Sequence, residues 1–327
     1  MLAPVGAEDV ELAGALACES GVDPRLIATE GASGTFAYER LNGTDQLRAY
    51  RPAEGDLDPE AVPLPDLDFS HVLVFGHPQW DPWRTHSVRE AVTGSELLFD
   101  RQGWLSRTRS AAASLNAPAA TRILLQNYGE RLDELGSAAT HFDQPATGFT
   151  AEIVKDGRWG VHLLKDSHSV AFPAFRSKVV GDLGSGDIFA GALLASLNLG
   201  TDISSAIPTA IAAASVAIAD PEGLPSQDFS DRVAQTLKAG SALPLLPPRS
   251  RLAAVLRLEC SEDPLGLTFA AGLQGDLALA GFAATELKPS RNAEFALCHG
   301  SSRLPLISGS VPRPLSEVLD WLSGELA

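Results

Sequence analysis

The chain has 327 residues, 45% of them hydrophobic and 20% charged, the make-up of a globular protein with about two domains or one large α/β domain and an appendage. Acidic residues outnumber basic ones by 41 to 25, and the resulting net charge of −16 repels nucleic acid and anionic lipid, so neither is expected as a partner. The most apolar stretch, Ala206 to Ala219, is too short for a bilayer core of ~30 Å, and Met1 is not followed by a leader-type pattern. Together these point to a cytoplasmic location.

In chain order, Val10 to Gly21 carries a helical stripe of Leu12, Ala15 and Leu16 that stops at a glycine. Thr35 to Leu41 and Gln46 to Tyr50 flank Asn42-Gly43, a strong reverse-turn signal, and predict a β-hairpin. Four short apolar runs follow: His71 to Phe75, Glu96 to Asp100, Arg122 to Gln126 and Ala151 to Lys155. Runs of this kind alternating with helical segments predict a mostly parallel α/β sheet. Ligands of such sheets bind beyond the C-terminal strand ends. A glycine-rich turn at Gly181 to Gly186 leads into a helix from about Asp187 to Leu199, and a helix rich in small residues spans Ile203 to Ala219. Ser241 to Arg249 is Pro-rich and reads as a linker over 241–250. Residues 251–327 hold strand-like runs at Leu252 to Leu258 and Leu277 to Phe282, then an amphipathic helix with Leu315, Val318, Leu319 and Leu322 on one face.

Three turns carry chemistry. In Gly181-Asp-Leu-Gly-Ser-Gly-Asp187, the small residues Gly184, Ser185 and Gly186 let backbone N–H groups approach an anion where a helix begins. Asp187 can reach both that anion and an incoming hydroxyl; capping of the helix is the plainer role for it. Asn127-Tyr-Gly-Glu130 sets an amide and a carboxylate just past a strand, suited to orienting water around Mg²⁺. Lys155-Asp-Gly-Arg-Trp-Gly160 joins a cation to exposed glycine backbone, again at a strand end. Cys18, Cys260 and Cys298 form neither a disulfide framework nor a zinc pattern, and Cys298-His299 reads as a core thiol beside a surface histidine. In Gly76-His-Pro-Gln-Trp-Asp-Pro-Trp83, His77, Trp80 and Trp83 read as a structural aromatic loop, with stacking on a substrate ring as the alternative.

The order Asn-x-x-Glu, Lys-x-Gly-x-x-Gly, Gly-x-Gly-Asp-x-Phe-x-x-Gly resembles the ribokinase/PfkB family of carbohydrate kinases. The resemblance runs to about residue 240; Ser33-Gly-Thr-Phe36 looks like the entry to that family's β lid, and Asp100-Arg-Gln-Gly103 like a turn of some members. It implies a ribokinase-like fold: a mostly parallel central sheet flanked by helices over 1–240, with a small β lid near 33–52, followed here by an extra α+β segment at 251–327. It implies transfer of the γ-phosphoryl group of ATP, with Mg²⁺, to a hydroxyl of a sugar, polyol or nucleoside. Asp187 would be the base, and the amides of Gly184, Ser185, Gly186 and Asp187 the anion hole. Asn127 and Glu130 would organise Mg²⁺ through water, and Lys155 and Gly157 would lie along the nucleotide. Gly160 would serve the turn, and the helix from Ile203 would wall the adenine. Two departures stand out. Met1 to Asp9 resembles a segment that follows the family's first β-α unit, so that unit is expected to be absent. Gly181 stands where the family carries an aspartate, with Asp182 one place along. A catalytically inactive nucleotide-binding or regulatory paralogue is therefore the second reading. The C-terminal segment would fill the missing space, form a homodimer, or fold separately.

Overall fold

A computed structural model describes residues 2–7, 9–19, 25–29, 35–41, 44–51, 70–75, 95–101, 121–135, 142, 145–146, 148–220, 228–282, 284–290, 294–308 and 311–326. The chain opens with β1 (Leu2–Gly6), α1 (Val10–Glu19) and β2 (Arg25–Thr29), and β1 and β2 pair in parallel across the helix. The predicted hairpin is present as β3 (Thr35–Leu41) and β4 (Thr44–Arg51), with a register shift at Ala37/Tyr38; its Asn42-Gly43 turn lies outside the described residues. So do Gly21 to Asp23, Ser33-Gly34, Gln102-Gly103 and the stretch with His77, Trp80 and Trp83.

The four apolar runs become β5 (His71–Phe75), β6 (Glu96–Asp100), β7 (Thr121–Asn127) and β8 (Ala151–Lys155), all parallel neighbours in that order. Leu97 and Leu98 point to opposite faces of β6 and both have zero exposure, so this strand is covered on both sides. After β7 comes α2 (Tyr128–Leu135). Two antiparallel strands, β9 (Val161–Lys165) and β10 (His168–Phe172), extend the sheet to six among the described residues. Their two-residue loop, Asp166-Ser167, has φ of 51° and 61°, the left-handed geometry that matches the strand twist of a tight hairpin.

The two faces of this sheet differ in chemistry. One presents Leu98, Ile123, Leu125, Ile153 and Leu163 to α3 (Ser185–Asn198) and α4 (Ile203–Ala217), which meet it with Phe189, Leu193, Ile207 and Ala210. Small residues at Ala206, Ala210 and Ala213 let α4 approach closely. The other face buries Gln126, Glu152 and His162 beside Tyr128, Val154 and Leu164. Glu152 has no exposure and is fully engaged: it accepts hydrogen bonds from Gln126 Nε2 (2.6 Å), the Ala146 amide (2.7 Å) and Arg131. A buried carboxylate persists only when paired in this way.

Beyond α5 (Phe229–Ala239), the Pro-rich stretch is tied to the first unit. Arg176 N donates to Ser241 O and Leu243 N to Ala174 O, both at 2.7 Å. It leads into α6 (Pro248–Ala253). The C-terminal segment is α+β: β11 (Val255–Ser261), α7 (Pro264–Leu279), β12 (Ala284–Ser290), β13 (Ala296–His299), β14 (Ser302–Pro305), the short pair β15 (Ile307–Ser308) and β16 (Val311–Pro312), and α8 (Leu315–Leu326). Its sheet has the order β12-β11-β13-β14. Alternation along β11 sends Leu256, Leu258 and Cys260 inward, where α7 and α8 cover them with Leu277, Leu319 and Leu322. Two residues from outside the segment complete this core, Leu246 and Trp159. The expected strand at Leu277 to Phe282 is instead the end of α7 and its exit turn. Leu277 and Phe282 are both buried in the core there, so apolar content alone mistook a helix end for a strand.

Candidate active site

The parallel register brings the ends of three strands level. Asn127 on β7 pairs with Lys155 on β8, and Asp100 closes β6 one strand over. Lys155 Nζ donates to both oxygens of Asp100, at 2.9 and 3.0 Å. Burial pushes the Asp100 carboxyl up to about 6 against the pull of Lys155, and the negative charge of Asp187 adds to the rise.

Asp187 lies at the start of α3. Gly184 holds the N-cap in the left-handed region at φ 76°, and a Cβ there would meet nothing within 4 Å among the described residues. A helix start carries a partial positive charge; here the Ser185 amide donates back to Asp182 O at 3.2 Å, and the Ile188 amide closes the first turn on Gly184 O at 3.0 Å. The step is anchored from behind, because Val180 N (2.8 Å) and Gly181 N (3.3 Å) both donate to Ile218 O just past α4. A Cβ on Gly186 would stand 3.5 Å from Lys155 Nζ, so the turn after β8 and the start of α3 face each other. Asp187 and Asp182 are exposed. Residues 184–187 are thus at the surface beside Lys155 and outside the packed core.

Asn127 and Glu130 form a reciprocal cap on α2. Glu130 N donates to Asn127 Oδ1 and Asn127 N donates to Glu130 Oε2, both at 2.8 Å. The amide is exposed and the carboxyl buried, and Arg101 Nη1 reaches Glu130 O at 3.3 Å. Among the described residues no cluster of three metal-binding side chains occurs. Asn127 Oδ1 and Glu130 Oε2 are both taken up by the cap, so these residues would reach Mg²⁺, an ion that keeps most of its waters, through water.

The turn after β8 is pinned except at one place. Asp156 N donates to Gly160 O (2.9 Å) and Gly160 N to Gly157 O (3.1 Å). At Gly160, φ is 91° and a Cβ would fall 2.1 Å from Phe172 O, so only glycine fits, as its expected turn role requires. Gly157 has φ 54°, and among the described residues nothing lies within 4 Å of where a Cβ would be. Asp156, Arg158 and Trp159 all turn toward the C-terminal segment. Asp156 pairs with Arg251, Arg158 Nη2 donates to Asp320 Oδ1 at 2.6 Å, and Trp159 Nε1 donates to Ala280 O at 3.1 Å.

Sequence reasoning assigned no role to Arg251 or Asp320. It noted Asp100 only as part of a family-like turn, and the strand-end position of that residue was the one available signal. Asn127, Glu130, Lys155, Gly157 and Gly184 to Asp187 all lie at the C-terminal strand ends or on the α3 start that faces them.

Residues 124–228, which span all three turns, match the model described as pfkB family carbohydrate kinase. No curated protein matches the chain by sequence. Among solved structures, it is similar to a ribokinase from Thermotoga maritima, at 20% identity over 71% of this chain and 80% of that one, with a TM-score of 0.56. A Burkholderia thailandensis nucleoside kinase, solved in complex with inosine, shares 18% identity over 74% and 83%, also with a TM-score of 0.56. A ribokinase from Cryptococcus neoformans var. grubii, solved in complex with ADP, shares 19% over 70% and 81%, with a TM-score of 0.52. The fold is ribokinase-like, with a pfkB-family segment at its centre.

Proposed function

We propose that this protein is an ATP-dependent phosphotransferase that moves the γ-phosphoryl group to a hydroxyl of a sugar, polyol or nucleoside. The observation that carries the reading is the convergence on one side of the sheet. Lys155 Nζ sits 3.5 Å from the Cβ position of Gly186, next to an exposed carboxylate on the first turn of a glycine-led helix. The pfkB-family match over the three turns and the inosine and ADP complexes of similar folds support it.

Phosphoryl transfer passes through a loose transition state in which positioning and charge neutralisation supply most of the catalysis. The helix start at Gly184 to Asp187 receives the γ-phosphoryl oxygens, and its partial positive charge favours the charge that develops there. Asp187 accepts the proton of the attacking hydroxyl. Lys155 and the open backbone at Gly157 lie along the polyphosphate, with Asp100 fixing the Lys155 ammonium. Asn127 and Glu130 would hold Mg²⁺ through water, and the ion would supply neutralisation of phosphate charge.

The test is release of ADP from ATP across a panel of pentoses, hexoses, polyols and nucleosides. The wild type turns over at least one of them, and Asp187→Asn loses about 10³-fold or more in kcat with an unchanged thermal midpoint. Equal turnover in that variant would sink the assignment of the base. A wild type that binds nucleotide yet phosphorylates nothing would favour the regulatory paralogue instead.

A further inference from the structure

The C-terminal segment touches the nucleotide side of the site at defined points, and most of these run through one residue. Arg251, in α6, has about 1% exposure. Its guanidinium pairs with Asp156 through Nη2 and donates to Ala280 O through Nη1 at 3.0 Å. Its flat faces lie 5.4 Å from the ring centre of Tyr128 and 5.1 Å from that of Trp159. Tyr128 opens α2 directly after β7, whereas Asp156 and Trp159 belong to the turn after β8. A single arginine therefore fills the space between the two strand-end turns that border Lys155 and Gly157.

A second clamp acts further round the same turn. Asp320, on α8, accepts from Arg158 at 2.6 Å and from Arg176 at 3.1 Å. The fold makes room for the first clamp at some cost: Gly281 has φ 89°, and a Cβ there would come within 2.9 Å of Arg251 Nη1. Ala280 O, which accepts from both Arg251 and Trp159, is the carbonyl just before that glycine. Thus the exit turn of α7 is shaped around the arginine.

We propose that Arg251 and Asp320 are positioning residues for nucleotide binding, and that the C-terminal segment works as a brace for the turns at 127–130 and 155–160. The proposal rests on the phosphotransferase reading for the identity of the ligand. With Asp156, Arg158 and Trp159 held outward, Gly157 is the one part of that turn left with open space. Release of the clamps lets the turn sample shapes in which Lys155 and Gly157 no longer lie along one polyphosphate. Positioning lost in this way raises the dissociation constant for nucleotide.

The experiment is calorimetric titration of the full chain with AMP-PNP and Mg²⁺. Asp320→Asn should weaken binding about threefold, and Arg251→Met about tenfold, since the latter frees both turns at once. Cys298→Ala is the control. It empties a buried position in the same four-stranded sheet, outside the cluster that holds Trp159, and should lower the thermal midpoint while leaving AMP-PNP affinity unchanged. Removal of a buried cation can prevent folding; if Arg251→Met is insoluble, Asp320→Asn and Arg158→Gln, both at half-buried sites, decide the matter. Unchanged affinity in every folded clamp variant overturns the brace alone, as does an equal loss in the control. A wild type that binds no AMP-PNP overturns the phosphotransferase reading and the brace together.

Discussion

Two glycine-bearing turns face each other across this site, and they solve the problem of close backbone approach in opposite ways. At Gly184 to Asp187 the chain exposes a helix start, with a left-handed glycine at the N-cap and no side-chain cap. At Lys155 to Gly160 it keeps large side chains, including Trp159 and Arg158, and draws each of them into another part of the molecule. The first turn is open because its residues are small. The second is open at Gly157 because its neighbours are tied back. A local solution needs only local sequence, whereas a solution by tethering needs partners that lie far along the chain, 95 residues away for Asp156 and 162 for Arg158.

The contrast can be broken most severely at Gly160. Its Cβ position lies 2.1 Å from Phe172 O, so Gly160→Ala forces backbone apart and should cost about 3 kcal/mol or more. Chemical denaturation measures this, and a variant of wild-type stability would mean that the turn is not held against β10 at all.

A smaller effect probes the layer beneath the tethered turn. Burial, reinforced by the positive charges of Arg251 and Arg131, pushes the His162 imidazole down to about 4 from its ordinary 6.5. Above pH 6.5 the ring is neutral in both folded and unfolded chains and stability does not change with its titration. As pH falls from 6.5 toward 4, the unfolded chain takes up a proton that the folded chain refuses, and stability is lost. Between pH 7.5 and 5, His162→Gln should therefore gain about 2 kcal/mol relative to wild type. A stability difference that does not vary with pH would remove the two arginines from the account of this layer.

The smallest stability effects sharpen the comparison directly. A Cβ at either Gly157 or Gly184 meets nothing within 4 Å among the described residues, so alanine at each should cost only the ~1 kcal/mol of a left-handed backbone. The two variants should match in stability yet differ in catalysis. On the proposed phosphotransferase reading, a methyl group at Gly184 would intrude on the transferring phosphoryl group and should reduce kcat by about tenfold, while one at Gly157 should act mainly on the KM for ATP. Identical kinetic profiles would erase the distinction between the two turns.

The residues that sequence reading singled out are the ones whose chemistry is local. Asn127 and Glu130 are three residues apart, the glycine step is one continuous run, and each apolar strand announces its own ends, so pattern and spacing were enough to single them out as candidates. The edge hairpin of β9 and β10 went unread although Val161, Leu163 and Leu164 make β9 a short buried apolar run; β10 is exposed along most of its length and shows no clear alternation of apolar and polar residues. The core of residues 251–327 was legible in part through the amphipathic α8. Its dependence on Trp159 and Leu246 was not, since neither residue shows in sequence which core it will enter.

What the linear chain determined by itself was an α/β framework and a glycine-led helix carrying Asp187, because hydrophobic period, strand length and backbone freedom are properties of neighbouring residues. Only the folded chain decided that Lys155 would pair with Asp100, that Arg251 would fill the gap between two strand-end turns, and that the C-terminal segment would share a core residue with the sheet it follows. Those contacts join residues that chain entropy keeps apart until the parallel register and the docking of α6 bring them together, and nothing in the composition of either partner records the meeting.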